Sequence, residues 1–65
     1  MLEPLDAFPF HVEVWSRDDQ HIDERLAVAK SVSVAQAAYA AALKKRPDRI
    51  VRLRIKARVI EERFP

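Results

Sequence analysis

The chain has 65 residues and contains neither cysteine nor glycine. It therefore makes one domain at most, and disulfides, thiolate metal sites and a glycine-rich phosphate loop are excluded. Twelve basic and ten acidic residues leave a net charge of +2, which is modest for a dedicated nucleic-acid binder.

Residues 1–9 carry Pro4 and Pro9 with Leu2, Leu5 and Phe8, and read as an extended N-terminal arm ahead of a single domain at 10–65. The arm either frays or covers a sheet edge or a neighbouring subunit. Glu3 and Asp6 without a basic residue do not make a secretory signal. No apolar run approaches the roughly 20 residues of a bilayer span. A cytoplasmic protein with no membrane contact is expected.

"FHVEVWS", residues 10–16, alternates with period two: Phe10, Val12 and Val14 on one face, His11, Glu13 and Trp15 on the other. Its β-branched and aromatic residues predict a strand. "RDDQ", residues 17–20, is a polar turn. In "HIDERLAVAK" the even positions Ile22, Leu26 and Val28 are apolar, which predicts a second strand. A three-residue loop Asp18-Asp19-Gln20 would place Val12 opposite Leu26 and Glu13 opposite Arg25. Glu24 then falls at the rim of the apolar face. The spacing of Ile22, Leu26 and Ala29 also allows a rival, one helix from about 20 to 46 capped by Asp19. The strand is preferred because Ser33 and Gln36 form a fresh capping box.

Residues 34–46, "VAQAAYAAALKKR", hold six alanines and predict a helix, alanine being the best helix former. Lys44, Lys45 and Arg46 suit its C-terminal end, and Pro47 stops it. Its buried stripe is expected at Val34 or Ala35, Ala38, Tyr39, Ala42 and Leu43. Beyond it, "RIVRLRIKARVI" alternates strictly from Val51 to Val59. This is either one long strand or strands at about 49–55 and 58–63 joined by a three-residue turn Lys56-Ala57-Arg58, with Ile55 and Val59 on one face.

The fold class is therefore α+β: a three- to four-stranded, mainly antiparallel sheet with one Ala-rich helix on one face, ββαβ or ββαββ. The stretches "VEVWS", "ERLAVA", "VAQAAYAAALKKRP" and "IVRLRIKARVIEE" resemble small bacterial proteins of about this length with that element order. The resemblance covers nearly the whole chain and rests on patterning. It implies a fold and no activity, and no functional residue is carried over from it. The resemblance extends more loosely to other small ββαββ domains, whose last hairpin usually contains glycine where Lys56-Ala57 stands here.

Catalysis has little to build on. His11 and His21 fall near opposite ends of the first hairpin, and Asp18, Asp19, Asp23 and Glu24 lack the spacing and glycine of a calcium loop. Ser16, Ser31 and Ser33 suit a strand end and helix caps. No cofactor, metal site or enzyme activity is expected. The binding candidates are Trp15, Arg52, Arg54, Lys56 and Arg58, grouped on the open face of the sheet. Trp15 would anchor a protein partner or a second copy of the chain. The alternative is weak, sequence-tolerant nucleic-acid binding, with bases stacked on Trp15.

Charge is unevenly placed. Residues 1–43 hold three basic and seven acidic residues, and 44–65 hold nine basic and three acidic. The basic segment either meets an acidic partner or pairs internally with the first. Glu13 and Asp23 are positioned to bind its cations across the sheet, and an arginine to stack on Trp15. A chain of this size hides only about 60% of its unfolded surface, which favours a partner subunit.

Overall fold

The structure, a computed structural model, describes residues 8–65; the rest of the arm lies outside the described residues. It has five elements in chain order: β1 Phe10–Trp15, β2 Ile22–Ala29, α1 Val32–Lys45, β3 Ile50–Ile55 and β4 Arg58–Arg63. The sheet is antiparallel throughout, in the order β2-β1-β3-β4. The domain is a ββαββ α+β unit, in which β2 takes the place of the rival helix from about 20 and β3 and β4 form a hairpin. Among the described residues, no helix is long and apolar enough to cross a membrane.

The helix covers one face of β2, β1 and β3. Val12, Val14, Val51 and Leu53 are fully buried beneath Ala35, Tyr39 and Ala42. Phe10, Leu26, Ala27, Ala38 and Leu43 pack around them. Small alanines on the buried stripe bring helix and sheet close. The helix starts at Val32, two residues before the sequence pattern places it. The cap is Ser31, whose hydroxyl accepts from Val34 N at 3.4 Å, so the Ser33–Gln36 capping box does not form the start. Ser31 is extended, with φ −118°, as a cap residue leaving a strand should be. Ala35, not Val34, belongs to the stripe; Val34 is 60% exposed.

The first hairpin departs from the expected register. Glu13 does face Arg25, but Val12 faces Ala27 and not Leu26, because β2 carries an extra residue between them, and another between Glu24 and Ile22. Such bulges exchange the faces of the residues beyond them. Ile22 and Val28 thus sit opposite Trp15 and His11, away from the helix, while Glu24 stays at the helix-side rim. The loop has four residues, Arg17–Gln20, closed by Ser16 N–H to His21 O at 2.8 Å. Asp19 holds φ 62° there, a conformation Asp tolerates.

The second hairpin turns on two residues, Lys56 and Ala57, not three. Ile55 faces Arg58, Arg54 faces Val59 and Leu53 faces Glu61, which makes Ile60 the extra residue of a bulge in β4. Lys56 takes φ 54°, as glycine would. Val59 therefore lies with Arg54 on the open face, and Arg58 with Ile55 on the helix side.

Candidate functional site

On the open face, the odd residues of β1 meet the even residues of β3. Glu13 sits at the centre and is fully buried. Its two carboxylate oxygens accept from Arg54 Nε and Nη2 at 2.7 and 2.8 Å. Trp15 Nε1 donates to it at 3.3 Å, and Arg25 Nη2 lies 3.6 Å away. Burial pushes the Glu13 carboxyl up, but Arg54, Trp15 and Arg25 outweigh it and hold it below the ordinary range. A bidentate, charge-assisted pair of this kind is how a buried charge is tolerated.

Arg52, beside it, is also buried. Its Nε donates to Glu62 at 2.8 Å, and both terminal nitrogens donate to Asp19. Its guanidinium stands 4.7 Å from the Trp15 ring centre and 5.4 Å from that of Phe64. Arg54 stands 5.6 Å from the same Trp15 ring. Asp19 foremost raises the Arg52 pKa against the opposing effect of burial, and Arg52 in turn depresses that of Asp19.

A second belt of ion pairs closes the far end of the sheet. Arg46 binds Glu24 through two bonds of 3.0 Å. Arg49 binds Asp23 and the Trp15 carbonyl, and Arg17 binds Asp48 at 3.2 Å. Arg63 donates to the carbonyls of Arg46 and Arg49, satisfying backbone oxygens just past the helix end. The charge asymmetry of the sequence is thus resolved in large part internally, with acids before residue 44 bound by arginines after it.

The five sequence-derived binding residues do not form one surface. Trp15, Arg52 and Arg54 come together, engaged with carboxylates and with one another. Lys56 lies in the turn. Arg58 crosses to the helix side, because the two-residue turn changes the phase of alternation. The uninterrupted basic row expected on the open face is therefore broken after Arg54.

The strand expected at 58–63 is β4, and what the alternation concealed is its exposure. Arg58 through Glu62 are exposed, and among the described residues the outer edge of β4 has no strand beside it. Val59, Ile60 and Phe64 are exposed apolar residues along it. The signal for this was "VIEERF", short of small apolar residues that would accept a helix.

His21 lies 3.3 Å from Asp23 and His11 4.0 Å from Glu13. Among the described residues, no group of three or more His, Cys, Asp or Glu side chains is placed to hold a metal ion. A surface cleft of about 300 Å³ is lined by Arg17, Asp48, Ile50, Phe64 and Pro65. It contains no histidine and no hydroxyl. Tyr39 is on the buried face of the helix, its pKa raised by that burial first and by Glu61 next. No known protein family matches the chain, and no curated protein or solved structure matches it either.

Proposed function

We propose that this protein is a small non-enzymatic interaction module that takes on a partner strand at the outer edge of β4. One observation carries the reading: β4 is exposed from Arg58 to Glu62 and, among the described residues, has an unpaired edge, while the open sheet face is filled by its own ion pairs. An unpaired strand edge presents a row of backbone donors and acceptors to any chain that adds to it. The exposed Val59 and Ile60 supply apolar contact beside that row. Trp15 serves as the clamp that holds Arg52 in place, and not as the contact. Nucleic-acid binding draws on Trp15, Arg52 and Arg54, whose charges are already met by Glu13, Asp19 and Glu62.

The test is a titration of isotope-labelled protein with a ten-residue strand-forming peptide of alternating Thr and Val, monitored by amide resonances. Shifts and slowed hydrogen exchange concentrated in residues 58–63 are expected. Changes confined to the Trp15 face, or none, would reject the β4 edge as the binding surface.

A further inference from the structure

We infer that the strand β4 receives is the β4 of a second copy, laid antiparallel about a two-fold axis between Val59 and Ile60. This rests on the reading of β4 as a binding edge and names its partner. Among the described residues, every arginine except Arg58 is bound to a carboxylate or a backbone carbonyl. Every side-chain carboxylate except that of Glu61 likewise has a donor. The two exceptions lie on the same strand, on either side of Val59 and Ile60.

In the proposed register Arg58 stands opposite Glu61 of the second copy, twice over, with Val59 and Ile60 of both copies between the two pairs. Opposite residues of an antiparallel pair share a face. Residues three apart on a regular strand do not. The bulge at Ile60 removes this obstacle: Arg58 registers with Ile55 and Glu61 with Leu53, and both of those belong to the helix-side face. The extra residue is what allows the charges to meet across the axis. Registers shifted toward the C-terminus fail. An axis at Ile60 sets Arg58 against Glu62, which lies on the open face and is held by Arg52. An axis between Ile60 and Glu61 sets Arg58 against Arg63, and an axis at Glu61 sets that carboxylate against itself. The pairing would join two four-stranded sheets into one of eight strands, with the helices on the same face, and would cover apolar residues that a 65-residue chain has no core to hide.

Sedimentation equilibrium on the full chain tests this. The mass should rise with concentration from 7.5 kDa toward twice that value. R58E and E61R should each raise the dissociation constant about tenfold or more, since each turns two opposite-charge pairs into like-charge pairs. The double variant R58E/E61R restores the pairing with its signs reversed and should return close to the wild-type constant. Circular dichroism of the variants guards against loss of fold. A wild type that stays monomeric to millimolar concentration, or a double variant as weak as the singles combined, would overturn the proposal. In the monomeric case the bulge and its charges act to keep β4 from pairing. The Thr–Val peptide separates the edge from its partner when titrated where no second copy occupies the edge, into a monomeric wild type or into R58E: binding at β4 of a monomeric wild type leaves the edge reading standing without the second copy, and failure to bind a monomeric wild type removes both.

Discussion

Glu13 faces Arg52 directly across the sheet, yet both its carboxylate oxygens are bound by Arg54, two pairs further along. The diagonal leaves Arg52 free to reach Asp19 and Glu62, so one buried carboxylate organises the whole open face. Removing it leaves the half-buried Arg54 without its counter-charge. Breaking one side of a buried ion pair costs about 3–5 kcal/mol, comparable to the entire stability of a domain this small. Glu13→Ala should therefore unfold at far lower urea than the wild type, with Trp15 emission as the probe. The paired change Glu13→Leu/Arg54→Leu should recover part of the loss, because no charge is then stranded.

Acid should loosen the same network. Glu13, Asp19, Glu24 and Asp48 all have depressed carboxyl pKa values in the folded chain. A depressed carboxylate contributes stability that is fully present above its unfolded value and is lost as pH falls through the folded one. The ordinary values are 4.5 for Glu and 3.8 for Asp. Thermal midpoints should accordingly be level above about pH 5 and fall steadily below about 4.5. A midpoint that held constant down to pH 3 would mean that these pairs contribute nothing net to folding.

Arg52 combines a planar stack with a fork of hydrogen bonds, and lysine provides neither. Arg52→Lys keeps the charge and should still cost roughly 1–2 kcal/mol in a partly desolvated stack. The measurement is thermal unfolding together with Trp15 emission, whose maximum should move when the guanidinium leaves the ring.

The same occupancy bears on nucleic acid. A fluorescent single-stranded oligonucleotide at about 0.15 M salt, where long-range attraction is screened beyond roughly 8 Å, should leave Trp15 emission unchanged. Quenching that weakens steeply with added salt would instead show bases reaching the ring. Arg52→Glu and Arg54→Glu are poor controls for this experiment, since either breaks an internal pair. Lys56→Glu/Arg58→Glu removes basic charge without touching that network.

Much of this fold is written in residue periodicity. The alternation of Val12 and Val14 and of Val51 and Leu53, and the alanines of 35–42, specify a helix on one face of a sheet through side-chain direction alone. Charge halves of opposite sign allowed either an acidic partner or internal pairing, and the ion pairs across the sheet realise the second, with Glu24 at the apolar rim bound by Arg46. What periodicity does not carry is register. A single extra residue, at Leu26, Asp23 or Ile60, reverses the faces of everything beyond it, and no residue type marks where it falls. The placement of Arg58 and Val59 depended on turn length, two residues at Lys56-Ala57 in place of three, so the face that each presents emerged only from strand pairing.

Lys56 offers a final test of how the second hairpin is held. It adopts a positive φ of 54° at the first position of a two-residue turn, where such turns take glycine. For a residue with a Cβ this conformation carries a steric cost of about 1–2 kcal/mol, which glycine avoids. Glycine also loses more backbone freedom on folding, an opposing effect of about 0.5–1 kcal/mol. Relief exceeds that loss, so Lys56→Gly should stabilise the domain by about 0.5–1 kcal/mol, read as a higher urea midpoint at unchanged slope. Ala57→Gly lacks the steric relief, because Ala57 has no positive φ, and should lower the midpoint instead. Opposite signs at adjacent positions would tie the stability of β4, and with it the edge that β4 presents, to the backbone of Lys56.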